Sequence, residues 1–85
     1  MQEKKNTVRM TVAHSRAARG LLGWTVEELA ARAGLSADTI VRWENGRNVP
    51  RETTRETIKN TYESAGVVFT NGDNPGVSMR IREGN

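Results

Sequence analysis

Residues 35–47 carry polar and charged side chains at the spacing of one helical face. Leu35, Ile40 and Trp43 are spaced to lie on the buried side of a helix. The opposite side then holds two small apolar groups, a carboxylate, a guanidinium and an amide, on Ala37, Val41, Asp38, Arg42 and Asn45. A guanidinium donates hydrogen bonds in a fork, and a carboxylate accepts them. This face is therefore suited to recognising polar edges such as those of nucleic-acid bases.

The sequence does not place catalytic groups at the spacing that a reaction would need. The one histidine is His14, and no serine has a matched base and orienting acid. Glu27 and Glu28 are adjacent, so their carboxylates diverge on a helix. The turn between Gly72 and Gly76 lacks the lysine of a phosphate-binding loop. We therefore expect no enzyme activity, no cofactor and no metal, and the absence of cysteine excludes a zinc finger.

Four helices are predicted to position the polar face. The first begins near residue 10 or 11 and ends at Leu22, before a glycine suited to a left-handed stop. Thr25 and Glu28 form a capping box for the second helix, which ends at Gly34. Ser36 is the N-cap of the third helix, which ends at Asn45 and Gly46. A fourth helix is predicted over residues 51–65.

The second and third helices are short and are joined by a tight turn at Gly34. This arrangement is typical of a helix-turn-helix, in which the second helix of the motif lies in the major groove of DNA. In such a motif the first helix crosses the phosphate backbone, and outward residues near the start of the second reach base edges.

The end of the chain changes from helical to alternating periodicity and predicts a β-hairpin. One strand covers residues 67–70 and the other residues 77–82, with dense turn residues between them. The strands share an apolar face made of Val67, Phe69, Val77, Met79 and Ile81. The hairpin could cover the fourth helix or pair two copies of the chain, and we favour dimerisation because an isolated hairpin is marginal in water. Arg80 and Arg82 could also contact phosphates or an acidic partner.

Positive charge is concentrated at the N-terminal end of the chain. The formal net charge is +3, and residues 1–24 carry five basic residues against one acidic residue. This distribution favours nucleic-acid binding, although a solvated surface with a flexible basic arm over residues 1–9 explains it equally well. No apolar run approaches the ~20 residues of a membrane span, so we expect no membrane partner.

The run from Leu22 to Ser36, followed by Thr39–Gly46 and Pro50, resembles the phage-repressor/Cro-type helix-turn-helix family of Xre-like regulators. The resemblance covers about residues 11–65, and residues 65–80 resemble a branch of small, single-domain members. It implies a mostly α fold, with a four-helix repressor-like DNA-binding domain over residues 10–66 and a C-terminal β-hairpin over residues 67–85.

The resemblance also implies roles for individual residues. The base-reading positions of the family fall on Ala37, Asp38 and Arg42, with Thr39 and Val41 as lesser candidates. Arg42 suits guanine, whereas Asp38 could accept from cytosine, oppose the phosphates or simply favour the helix dipole.

Two further sets of residues match positions of known role in the family. Ser36, Asn45 and Arg47 match positions that contact DNA phosphates. Arg19 and Glu44 match an ion pair that ties the first helix to the recognition helix.

Three residues depart from the pattern of the family. Val26 stands where relatives usually carry a glutamine that contacts a phosphate, which weakens one DNA contact. Ser15 and Arg55 stand where apolar residues are usual or frequent, which predicts a thin core and fits a protein that needs a partner for stability.

These features predict a sequence-specific DNA-binding transcriptional regulator. We expect a homodimeric repressor of a two-fold symmetric operator on double-stranded DNA, located in the cytoplasm with the nucleoid. The alternative is a protein-interaction module or antitoxin-like partner that has a helix-turn-helix fold and binds DNA weakly.

Overall fold

The computed structural model describes residues 10–70 and 76–80 of the 85-residue chain. Four helices precede a two-stranded antiparallel sheet, in the order α1 (Val12–Leu22), α2 (Val26–Ala33), α3 (Ala37–Glu44), α4 (Glu52–Ser64), β1 (Val67–Thr70) and β2 (Gly76–Met79). The predicted fold class, four helices followed by a hairpin, is confirmed. The predicted N-terminal arm, the hairpin turn at residues 71–75 and Ile81 lie outside the described residues. Within the described part of the chain, no helix has the length and apolar character needed to cross a bilayer.

Side-chain caps fix where the first three helices begin. The predicted capping box is present at α2, where Thr25 N donates to Glu28 Oε1 at 2.8 Å and Glu28 N donates to Thr25 Oγ1 at 3.1 Å. At α1 the same reciprocal arrangement joins Thr11 and His14. Each cap satisfies amide groups that have no partner inside the helix. The lone histidine is therefore part of a helix cap, a role that the sequence pattern did not indicate.

A tight turn joins α2 to α3. Gly34 takes the left-handed conformation, with φ of 71°, and its amide is directed at carbonyls of the last turn of α2. The amide of Leu35 then donates to Ala30 O at 2.9 Å. This bonding ends α2 and brings Ser36 directly into position to cap α3.

One apolar core is shared by the helices and the hairpin. Its buried members are Met10, Ala18, Leu29, Ala30, Ile40, Trp43, Ile58, Tyr62, Val67 and Phe69. The prediction that Ile40 and Trp43 point inward agrees with this core, but Leu35 is only half-buried because it lies in the turn rather than on α3.

The hairpin packs one face on the helices. Val67 pairs with Met79 and Phe69 with Val77 in the antiparallel register. Directly opposed residues share a face, and Val67 and Phe69 are 1% and 7% exposed. β1 lies against α4 and β2 against α1. The hairpin therefore covers the helical core, and β2 ends at Met79, so Arg80 lies outside the strand that was predicted over residues 77–82.

Two glycine substitutions should change stability in opposite directions. Gly34→Ala should lower the unfolding free energy by about 1 kcal/mol or more, because a Cβ is strained at positive φ. Gly20→Ala, inside α1 with open space around it, should raise that free energy by about 0.5–1 kcal/mol. Urea titrations of both variants measure this. A Gly34→Ala variant as stable as the wild type would contradict the proposed turn geometry.

Candidate nucleic-acid interface

The outward face of α3 presents the residues that the sequence nominated for base reading. Asp38, Val41 and Arg42 are exposed, and Ala37 and Thr39 are half-buried. Ile40 and Trp43 hold the opposite face of the helix in the core. The helix therefore offers a short, mixed face whose charged groups belong to Asp38 and Arg42.

Ser36 and Thr39 at the start of α3 share one contact between their hydroxyl groups, so one of the two hydroxyl protons can be donated to a ligand. Ser36 Oγ accepts the amide of Thr39 at 3.2 Å and lies 2.9 Å from Thr39 Oγ1. When the Thr39 hydroxyl donates across this contact, both lone pairs of Ser36 Oγ are used, and the Ser36 hydroxyl proton is free. Ser36 can then donate to an external anion at the N-terminus of α3, where the helix dipole also favours negative charge.

The two charged side chains of α3 form an ion pair one helical turn apart. Arg42 Nη1 lies 3.8 Å from Asp38 Oδ2, and the side chains are 56% and 75% exposed. An exposed pair of this kind contributes little to stability, about 0.2–0.5 kcal/mol. Both groups consequently stay accessible to a ligand.

The end of α3 exposes two of the nominated phosphate contacts. Gly46 has a φ of 75°, and the carbonyl of Arg42 accepts the amides of Arg47 at 2.8 Å and Asn48 at 3.2 Å. This turn leaves the side chains of Asn45 and Arg47 exposed. The structure thus places Ser36 before the outward face of α3, and Asn45 and Arg47 after it.

Val26, at the first position of α2, packs against the core and is half-buried. An aliphatic side chain has no hydrogen-bond donor. The side chain at this position therefore cannot make the phosphate contact that a glutamine makes in relatives.

A buried carboxylate, that of Glu44, fixes the C-terminal end of α3. Glu44 Oε1 lies 2.6 Å from Arg19 Nη2, and Glu44 Oε2 lies 3.1 Å from Arg19 Nε. The Glu44 side chain is 5% exposed and that of Arg19 is 20% exposed. The two fork contacts join α1 to the last residue of α3, at the pair of residues that the resemblance implied.

Two other residues of α1 hold Glu44, and the sequence reasoning missed both. Ser15 Oγ donates to Glu44 Oε2 at 3.0 Å, and Arg16 Nη2 donates to the Glu44 carbonyl at 2.8 Å. The signal for Ser15 is its polarity at a position where relatives usually carry an apolar residue, and this signal alone predicts only a thin core. The structure instead shows a fully buried serine whose hydroxyl has specific partners.

Tyr62 of α4 completes this buried polar cluster. Its hydroxyl lies 2.8 Å from Ser15 Oγ and donates to the Ser15 carbonyl at 3.0 Å. Burial raises the pKa of Tyr62 to about 12, and the hydrogen bond with Ser15 opposes that rise. The hydrogen bond with Glu44 is the main cause of a raised pKa at Arg19, and desolvation acts against it.

An aromatic layer lies beside this cluster. Trp24 stacks on Tyr62 with ring centroids 5.9 Å apart, and the guanidinium of Arg32 lies 4.5 Å from the centroid of the Trp24 ring. Trp24, which lies between α1 and α2, therefore packs against Tyr62 of α4. A shallow groove of about 560 Å³ lies between Arg32 and the outer side of α4, and Trp24 lines part of it.

The residues nominated for dimerisation occupy different environments. Val67 and Phe69 are buried in the core of the same chain, and Val77 is half-buried. Met79 is 38% exposed. A groove of about 400 Å³ runs between α1 and β2, and its lining includes Thr11 and His14 together with the small apolar side chains of Ala13, Ala17 and Val77.

Comparison with protein-family models matches residues 16–58 to the helix-turn-helix family. The match covers half of the chain and runs from α1 into α4, so it includes the turn at Gly34 and all of α3. The search of curated proteins found no match.

Removing one partner of Glu44 should destabilise the fold strongly. Arg19→Met should lower the unfolding free energy by about 3–5 kcal/mol, because it leaves a buried carboxylate without its fork partner. Arg16→Met is the matched control, since that side chain is 56% exposed and its Nε lies 3.7 Å from Glu44 Oε1. Its cost should stay nearer 1 kcal/mol. Urea denaturation measures the unfolding free energy of both variants. Equal losses would contradict the larger contribution assigned to Arg19.

Alkaline pH should weaken the fold through Tyr62. The folded pKa of about 12 exceeds the ordinary value of 10.0, so the neutral phenol contributes stability in full below pH 10. This contribution is lost as the pH rises through 12. Tyr62→Phe cannot ionise there. The gap in unfolding free energy between wild type and Tyr62→Phe should therefore narrow from pH 10 to pH 12. A constant gap would show that Tyr62 does not titrate as its burial requires.

Proposed function

Because the chain belongs to the phage-repressor/Cro-type (Xre-like) family of helix-turn-helix DNA-binding regulators, we propose that it is a homodimeric repressor of a two-fold symmetric operator. The supporting observation is the exposed face of α3, which carries Arg42 and Asp38 while Glu44 anchors the end of the helix. In this proposal α3 enters the major groove of double-stranded DNA.

Base contacts in this proposal come from the outward side chains of α3. Arg42 donates to O6 and N7 of a guanine, the commonest specific contact of arginine in the major groove. Ala37 and Val41 are apolar and can pack on a thymine methyl group. Thr39 has a smaller role, because it is half-buried and its hydroxyl lies within hydrogen-bond distance of Ser36.

Phosphate contacts come from the residues on either side of that face. Ser36 can donate its hydroxyl proton when the Thr39 hydroxyl donates to Ser36 Oγ, and Asn45 and Arg47 are exposed at the opposite end of α3. Such contacts release counterions, so affinity should fall steeply as salt concentration rises.

Dimerisation would give the regulator its two-fold symmetry. Two copies that present α3 to one face of the duplex would contact half-sites about 34 Å apart. The hairpin remains our proposed interface. Met79 is exposed on its apolar face and lies on β2, which also lines the groove against α1. Bound in this way, the dimer would repress by occluding the operator.

A protein-interaction module with weak DNA binding is the second candidate. Val26 lacks the donor of a glutamine, and Asp38 brings negative charge to the proposed groove face. Selection from a pool of random duplex DNA at low salt separates the two functions. A motif with two-fold symmetry supports the repressor, and no enriched motif supports the interaction module.

Arg42→Ala should reduce affinity for the selected operator by about 1–3 kcal/mol, the value of one good base contact. Affinity for random DNA should change much less. Arg42→Lys is the matched control, because it keeps the charge but loses the planar fork. It should retain random-DNA binding and still lose part of the specific affinity. Binding titrations with the selected operator and with random DNA measure these affinities. Unchanged affinity of Arg42→Ala for the operator would refute the proposal that α3 reads the bases.

Met79→Glu should dissociate the dimer, whereas Ser78→Glu should not. The two residues are adjacent and exposed, but Met79 shares a face with Val67 and Ser78 does not. Sedimentation equilibrium measures the difference. Removal of the whole hairpin would not test the interface, because Val67 and Phe69 belong to the core. An unchanged oligomer in Met79→Glu would exclude this face as the interface.

A further inference from the structure

Asp38 and Arg42 face the same side of α3 at a distance of 3.8 Å between Oδ2 and Nη1. The helical repeat brings residues four apart onto neighbouring positions of one face. The pair therefore presents two kinds of group side by side, namely guanidinium donors and carboxylate acceptors. Both side chains are more than half exposed, so a ligand can reach both groups together.

We propose that Arg42 and Asp38 act as one reading unit for a single G·C base pair, an inference that rests on the proposed function. Arg42 donates to N7 and O6 of the guanine. Asp38 accepts from the N4 amino group of the cytosine in that pair. In this proposal Asp38 determines specificity, beyond its favourable interaction with the helix dipole.

The complementarity follows from the order of groups along the edge of each base pair. In the major groove, a G·C pair presents two acceptors on the guanine and then a donor on the cytosine. An arginine fork beside a carboxylate supplies two donors and then an acceptor. In an A·T pair the same positions hold an acceptor, a donor and a second acceptor, followed by a methyl group. The carboxylate of Asp38 would then face the O4 acceptor of thymine without a proton between them.

Charge gives Asp38 a second effect, on DNA that lacks the correct base pair. A carboxylate at the groove is repelled by phosphates, and this repulsion is offset only where a base donates to it. The residue should consequently weaken binding to incorrect sites more than it strengthens binding to the correct one, which is a source of specificity.

The test compares base preference in variants of the full chain. The operator is first selected from random duplex DNA with the wild type. Affinities are then measured for duplexes with all four base pairs at each half-site position. We expect one position where the wild type prefers G·C about 5- to 100-fold. Asp38→Asn should reduce that preference at least several-fold and strengthen binding to random DNA, and Arg42→Ala should abolish the preference.

Glu52→Gln supplies the matched control. Glu52 is an exposed acid in the first turn of α4, so the change removes the same charge and a comparable helix-dipole effect. It should leave the base preference of the wild type intact. Thermal melting of each variant checks that the folded fraction is unchanged under the binding conditions.

Two outcomes would overturn the inference in distinguishable ways. If a motif is selected but Asp38→Asn keeps the wild-type preference at every position, or the motif contains no G·C-specific position, the reading unit is wrong and the DNA-binding function stands. If the wild type enriches no motif at low salt, the proposed function itself fails, and the inference fails with it.

Discussion

The buried carboxylate of Glu44 is the interaction on which the rest of the structure depends. It is the last residue of α3, and its charge is matched by the fork of Arg19 and by the hydroxyl of Ser15. A buried carboxylate is tolerated when it is paired and hydrogen-bonded, and it is costly when a partner is missing. The middle of α1 and the C-terminal end of α3 therefore have to meet in one geometry, because a displacement of either helix would leave the charge unsatisfied.

The need to keep Glu44 paired determines the direction in which α3 points. α3 has eight residues, fewer than a helix needs to be stable alone in water, so its orientation comes from its surroundings. Ile40 and Trp43 bury one face in the core, and Glu44 fixes the rotation and position of the C-terminal end. The face that remains outside carries Asp38 and Arg42. The polar cluster thus connects core packing to the direction in which the charged side chains are presented.

Local features were the part of the fold that sequence reasoning predicted well. The capping box of Thr25 with Glu28 and the helix stop at Gly34 each involve only a few neighbouring residues, so the local sequence is enough to locate them. The contact of Ser15 with Tyr62 spans 47 positions, and no periodic pattern relates residues so far apart. The sequence therefore predicts only a thin core at Ser15, and the hydrogen bond of Ser15 with Glu44 emerges from the fold. The pairing of Arg19 with Glu44 was implied by resemblance to a family, whereas spacing gave no sign of it.

The hairpin shows a different limit of sequence patterns. Alternation identifies which residues share a face, but it does not say what covers that face. Here Val67 and Phe69 face the core of their own chain, so the β1 part of the apolar face that suggested dimerisation is used internally. A dimer that forms at the hairpin must therefore add contacts at Met79 and along β2 while leaving Val67 and Phe69 in place. Because β2 lies against α1, and α1 holds Glu44, such a dimer would set the spacing of two recognition helices through the same helix that orients each of them.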